Sequence, residues 1–251
     1  MESNNLFHPT RFFLLLKEEF TTKYKTALIA LGAVIIATVF FGTILEQDLH
    51  EGWFPALLLG GGFIFSSMAF NNWATKPGRQ FYLHLPGSHL EKFASKWLIT
   101  AIVYPLIIIA LYQLVVNFML SIKYEGGNYF SITPFELFHP DNWLLVKVYV
   151  VLQTIFLLGA VAFNRYAFLK TLFTLFVIGI TLAIFTFICV RLTFAEYWSG
   201  LEPIGYGPKL NQGFQDWVEG PFTDTIEKMF WWVLGPLALV IGFLKLKEKE
   251  V

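Results

Sequence analysis

Chemistry on a polypeptide needs nucleophiles, acid–base groups or metal ligands held at fixed spacing, and this chain offers few of them. It has five histidines (His8, His50, His84, His89 and His139) and one cysteine, Cys189. No H-E-x-x-H, C-x-x-C or G-x-S-x-G run occurs, which removes the common zinc-hydrolase, thiol-redox and serine-nucleophile patterns. The best acid–base combination is the Glu18-Glu19 pair with His139, residues far apart in sequence. A G-x-x-x-x-G-K-[ST] loop, whose backbone amides would cradle phosphates, is absent as well. The expectation is a chain with no catalytic residues, no metal ligands and no bound cofactor. Any ATP-driven work it does must draw its energy from another polypeptide.

The composition explains why so little polar chemistry is present. Hydrophobic residues make up 56% of the 251 positions and charged residues only 14%, against roughly 25% charged in ordinary soluble domains. Eighteen basic and eighteen acidic side chains are too few to clothe a soluble protein of this size, so lipid must cover much of the surface. A net charge of zero argues against a nucleic-acid partner, which would call for a basic face. The lone cysteine excludes an intramolecular disulfide.

About 20 apolar residues in helix cross the roughly 30 Å of hydrocarbon in a bilayer. Six stretches qualify: 26–45, 53–73, 97–120, 143–163, 171–190 and 229–246. Trp53, Trp73, Trp97, Trp143, Trp231 and Trp232 fall at or near their ends, at the depth where amphipathic rings sit among headgroups. The first stretch is read as a retained helix, because it begins late and no small-residue cleavage site follows. With both termini on one side, that side holds thirteen lysines and arginines and the other side four, while twelve of the eighteen acids lie opposite. Such a bias predicts cytoplasmic termini in a cell (inner) membrane. The expected fold class is therefore all-α, a polytopic membrane protein with six transmembrane helices. Residues 1–25 form a cytoplasmic amphipathic lead-in, read as an elbow helix along the interface with Glu18 and Glu19 as solvated charges. Residues 26–246 form one transmembrane domain and 247–251 a short tail. Its longest cytoplasmic loop is 74–96, and its largest extracytoplasmic connection is 191–228, broken by Pro203, Gly205, Gly207, Pro208, Gly213, Gly220 and Pro221.

A proton-driven carrier would place ionisable groups deep in its spans, but no predicted span has a carboxylate near its centre. The polar residues there are mild: Ser66, Ser67, Gln113, Asn117, Gln153, Lys147 and some threonines. Gln113, Asn117 and Gln153 fit either interhelical hydrogen bonding or contact with a transported substrate. Gly60-Gly61-Gly62 fits close helix packing or a flexible point.

The loop at 74–96 is the most informative segment. Ser88-x-x-Glu91 is a capping box, in which the serine oxygen accepts the Glu91 amide and the Glu91 carboxylate accepts the Ser88 amide. Pro86 and Gly87 break the chain just before it, so a helix should begin at Ser88 and feed the third span. Arg79 and the apolar residues Phe81, Tyr82, Leu83 and Leu85 lie upstream, an apolar cluster on a basic loop that needs a membrane or protein surface to cover it.

The pattern L-x-x-L-P-x-S-x-x-E-x-x-x-x-K, together with six spans and an amphipathic lead-in, resembles the permease subunit of type-2, exporter-type ABC transporters. Leu85, Pro86, Ser88, Glu91 and Lys96 occupy the positions of that loop pattern. Two departures stand out: Gln80 takes the place of the usual acid ahead of the apolar cluster, and His89 that of the basic residue after the serine. The resemblance implies short re-entrant helices near 216–232 and a pairing with a second permease copy or a related permease chain. It also implies a separate ABC ATPase that binds ATP and Mg and is coupled through Arg79, Phe81, Tyr82, Leu83, Leu85, Pro86, Ser88 and Glu91. The cargo would be exported, and an apolar lining hints at a lipid or other amphipathic molecule. A membrane scaffold or sensor subunit, or an intramembrane enzyme, are the competing readings.

Overall fold

The computed structural model describes residues 7–45, 49–71, 76–78, 80, 87–126, 133–163, 165–193 and 223–250. Among them there is no strand. Helix α1 spans Pro9–Leu45. Two π-helical segments, Leu49–Trp53 and Ala56–Gly61, lead into α2 (Gly62–Ser67). Helix α3 (His89–Leu98) passes through a π-helical segment, Ile99–Val103, into α4 (Tyr104–Gly126). Helices α5 (Pro140–Ala162) and α6 (Ala167–Thr193) follow. Finally α7 (Thr223–Met229) runs through π-helical Phe230–Leu234 into α8 (Gly235–Glu250).

Among the described residues five helical runs are long and apolar enough to cross a membrane: Tyr24–Ile44, His89–Ile122, Pro140–Ala162, Ala167–Cys189 and Thr223–Lys249. Their large apolar side chains face outward, as with Phe173, Phe176, Leu182 and Phe185 on α6, which only lipid or another apolar surface can cover. The chain is a multi-pass membrane protein. The second predicted span is helical over 49–67 and then turns at 68–70. It is not one of the five, because His50, Glu51, Pro55 and the glycines at 60–62 dilute its apolar character. The lead-in is not a separate helix. It continues into the first span within the single 37-residue α1, about 55 Å long at 1.5 Å per residue and so much longer than the hydrocarbon it would cross.

Local chemistry sets the helix ends. Ser88 caps α3 through the full reciprocal capping box with Glu91. Pro140 opens α5 just after its N-cap His139, with Asp141 in the first turn, where a missing amide does no harm and negative charge is favoured. The α5–α6 connection is tight and uses Tyr166 at φ 56°, a left-handed conformation costly for a residue with a β-carbon.

Helix α5 is the central element, packed on α2, α6, α8 and the π-helical segment at 99–103. Two apolar clusters lie on either side of its midpoint. One gathers Phe54, Leu58, Tyr112, Val116, Met119 and Phe135, and the other Phe70, Phe93, Leu157, Ala160, Val161 and Leu246. His8 bonds to Glu91, and Lys249 bonds to the carbonyl of Val161, while Leu246 packs in the cluster that holds both Phe93 and Val161. The first and last described helices therefore begin and end on the same face of the bundle.

Gly159 is where α6 closes on α5. A β-carbon there would lie 1.8 Å from Oγ1 and 2.9 Å from Cβ of Thr171, whereas one at Gly179 would meet nothing within 4 Å. Small residues at such crossings let backbones approach where no hydrophobic force drives helices together. Gly159→Ala is expected to cost about 1–3 kcal/mol by overpacking and to lower the melting temperature of the detergent-solubilised protein. Gly179→Ala should leave it unchanged or slightly raise it. Equal shifts for the two variants would refute this packing.

Candidate functional site

Two polar constellations stand out in a molecule that is otherwise apolar. The first ties α1 to the start of α3. Glu91 is completely buried, and its carboxylate accepts hydrogen bonds from the backbone amides of Ser88, at 2.8 Å, and His8. The Arg11 guanidinium lies 3.9 Å away. A buried carboxylate survives only with such compensation, and here two amides and one cation supply it. Leu15, itself buried, fits against Gly87, where a β-carbon would come within 2.9 Å of the leucine Cδ1. One turn beyond Leu15, Glu19 forms an ion pair and hydrogen bond with Lys96, whose side chain is only 5% exposed. Glu19 is thus no solvated surface charge, contrary to the sequence expectation. Glu18 is half-buried and accepts the Thr22 hydroxyl at 2.9 Å within its own helix.

The second constellation lies at the middle of α5. Tyr149, fully buried, donates its hydroxyl to the carbonyl of Thr100 at 2.7 Å. Tyr104 donates to the carbonyl of Leu57 at 2.7 Å. Both acceptors belong to π-helical segments, where the wider turn disturbs the regular i→i−4 ladder. In lipid a carbonyl without a partner costs several kcal/mol, so each tyrosine stabilises an irregular stretch of the helix it faces. The rings reach those carbonyls across glycine. A β-carbon on Gly61 would sit 2.5 Å from the Tyr104 hydroxyl, and one on Gly62 would sit 2.2 Å from Tyr149 Cε2. Phe63 stacks on Phe156 at 4.4 Å, and Phe65 on Tyr104 at 5.3 Å, enclosing the cluster.

Gln153 belongs to the same cluster. Its Oε1 lies 3.2 Å from Thr100 Oγ1, but that hydroxyl also lies 3.0 Å from the carbonyl of Lys96 and 3.1 Å from that of Trp97. A threonine hydroxyl has one proton, so it serves only one of the three at a time. Gln153 Nε2 is buried without a hydrogen-bond partner, and the buried Ser66 hydroxyl has only the Tyr149 phenol beside it.

The predicted site residues divide accordingly. Ser88 and Glu91 form the capping box as expected. Arg79, Phe81, Tyr82, Leu83, Leu85 and Pro86 lie outside the described residues. Gln153 is a buried member of the tyrosine cluster. Gln113 and Asn117 sit on α4, thirteen and more residues along the helical run from Thr100, about 20 Å at helical rise, and do not join Gln153. Asn117 is exposed and accepts the Ser121 hydroxyl at its backbone carbonyl, while Gln113 Oε1 is buried without a partner. His139 caps α5, 3.4 Å from Asp141, and Glu19 is committed to Lys96, so the acid–base combination read from the sequence is not assembled. Among the described residues no group of three or more His, Cys, Asp or Glu could hold a metal.

Sequence reasoning missed Tyr104 and Tyr149 as structural centres. A mid-span tyrosine must place its hydroxyl on an acceptor, and a facing run of three glycines is the surface on which its ring can lie. No family model, curated protein or solved structure matches this chain.

The buried ion pair gives a direct test. Lys96→Glu, which sets like charges against each other, should destabilise the protein by about 3–5 kcal/mol. The double exchange Glu19→Lys with Lys96→Glu should recover a large part of that loss. Thermal unfolding in detergent reads both. A double variant no more stable than the sum of its singles would show that the two side chains act independently.

Proposed function

We propose that this chain is the membrane-spanning permease subunit of an ATP-driven, exporter-type ABC transporter, with six spans and both termini in the cytoplasm of a cell (inner) membrane. In this reading the helical stretch at 49–67 is the second span, in spite of its glycines. ATP and Mg bind a separate ATPase, which seats on the loop at 74–96. The permease works with a second copy or a related chain, and it moves an amphipathic, lipid-like cargo outward.

The observation that carries the proposal is the fastening at Glu91. The capping box starts a helix that runs from the loop to residue 126 without a break, and the same carboxylate holds His8 and Arg11 of the lead-in. A push on the loop would therefore be transmitted to two helices together. Lys96, at the end of the loop pattern, pairs with Glu19 and adds a second tie one and a half turns on. The absence of any nucleotide-binding motif from the sequence agrees with an external source of energy, and the positive-inside bias supports the orientation.

Co-expression of the tagged chain with an ATPase bearing a P-loop and signature motif from the same genome tests this. The two should copurify from detergent. Leu83→Asp or Leu85→Asp should reduce recovery of the ATPase at least tenfold, and His139→Ala should leave it unchanged. If no nucleotide-binding chain associates with the wild type, the coupling reading fails. Association without nucleotide-dependent transport would favour the scaffold or sensor reading.

A further inference from the structure

The tyrosine cluster combines three features that ordinary helix packing does not need together. Its helices are π-helical at the contact: Ala56–Gly61 faces Tyr104, and Ile99–Val103 faces Tyr149. Its closest approach rests on Gly61 and Gly62, where no other residue fits. Its interior is polar but incompletely satisfied, since Gln153 Nε2 lacks a partner and Ser66 Oγ has only the Tyr149 phenol beside it.

The last feature decides the matter. Each of those two atoms exposes less than 1 Å², so no water-sized space adjoins either of them in this conformation. Turning the Gln153 amide over would give Thr100 Oγ1 a donor, and its own proton would then serve the Lys96 carbonyl. The amide oxygen would take the partnerless position instead. Either way one end of a buried amide is left dry and unpaired, a cost that buried polar groups seldom bear without reason. The cost disappears when the helices part and water enters. A closed contact that is stabilised by two tyrosine hydroxyls and opposed by dry polar groups has a ready alternative state. π-helical segments supply the means, because shifting an irregular turn changes the facing of the residues beyond it at little cost in hydrogen bonds.

We propose that the contact of Gly61–Gly62 and Ser66 with Tyr104, Tyr149 and Gln153 is an intramembrane gate. It is latched shut by the two tyrosine–carbonyl hydrogen bonds and opens to admit water to Ser66 and Gln153. The gate deepens the permease reading and takes its purpose from it, as the point at which a transport path is sealed. No charged side chain is part of it. The opened surface presents an amide, hydroxyls and phenols, which suits the neutral hydrogen-bonding part of an amphipathic cargo.

Cysteine accessibility tests it in membranes holding the full chain. Cys189 is the sole native cysteine, so Cys189→Ser gives an unreactive background. Ser66→Cys is nearly isosteric and introduces one thiol at the gate. Methanethiosulfonate reagents react with the thiolate, which forms only where water reaches. Ser66→Cys should be modified slowly by a small water-borne reagent. Adding Tyr149→Phe or, separately, Tyr104→Phe should raise the rate about threefold to tenfold, the population change that loss of an interhelical hydrogen bond in a membrane gives. Two latch variants are used so that misfolding of one leaves the other to decide. No modification in any variant overturns the gate, because the cluster would then be a permanently dry packing site. Modification at a rate that neither phenylalanine changes overturns the latch. The measurement needs no ATPase, so the gate and the permease assignment can fail independently.

Discussion

The hydrogen bond from Tyr149 to the carbonyl of Thr100 is the contact on which the centre of this molecule depends. In hydrocarbon the backbone must satisfy itself, and a regular α-helix does so alone. Once a helix widens to a π turn, the carbonyls it disturbs need help from elsewhere. Here the help comes from phenols on neighbouring helices, and that requirement fixes much else. The tyrosine ring must lie flat against the opposite backbone, so Gly61 and Gly62 have no side chain to obstruct it. The ring must also be held from behind, and Phe63, stacked on Tyr149 and Phe156, does this. Each such hydrogen bond contributes only about 0.6–1.7 kcal/mol in a membrane. That is enough to bias a contact and too little to lock it.

At one end of the bundle a different constraint governs. Charges there lie close to apolar helix and must be paired or hydrogen-bonded to remain. Glu91 and Lys96, both buried, each recruit the first helix, at Arg11 and Glu19 respectively. The two ties lie eight residues apart on α1, a little over two turns, and five apart on α3. They fix both the register and the orientation of one helix on the other. At the opposite end His50 makes a comparable tie. Its Nε2 lies 2.7 Å from the carbonyl of Thr133, to which it donates, and its Nδ1 lies 2.8 Å from the Tyr112 hydroxyl.

These two ends show why parts of the structure were legible in sequence and others were not. The capping box is local: Ser88 and Glu91 are three residues apart, and their chemistry needs nothing distant. Span positions follow from runs of apolar residues, and Tyr24–Ile44, Pro140–Ala162 and Ala167–Cys189 coincide with predicted spans to within four residues at both ends. The Glu19–Lys96 pair joins positions 77 apart, and nothing in either segment marks the other as its partner. Glu18 and Glu19 look alike in sequence, and only the rotation of α1 decides that one is bonded to a buried lysine while the other accepts a hydroxyl of its own helix. The π-helical segments were equally hidden: Ile99–Val103 is rich in β-branched residues and Ala56–Gly61 ends in two glycines, weak helix formers that do not tell a π turn from an α turn. The glycine triplet was visible, but the tyrosines it accommodates lie on other helices. The stretch at 53–73 differs from the others because polar residues and glycines flank and interrupt its apolar core at 56–66.

The distribution of polarity also separates two ways of powering a membrane protein. Where ion movement drives transport, the protein must carry ionisable groups into the hydrocarbon and accept the cost. Among the described residues the polar groups around the middle of α5 are phenol, hydroxyl and amide, none of which changes charge near neutral pH. Lys147, one of two cations inside predicted spans with Lys245 at the end of the last, is exposed and directed over the Trp143 ring near the start of α5, as a side chain reaching for the interface would be. At the end bearing Glu91, by contrast, charged groups are present, and there they are paired or hydrogen-bonded so that two helices are tied together.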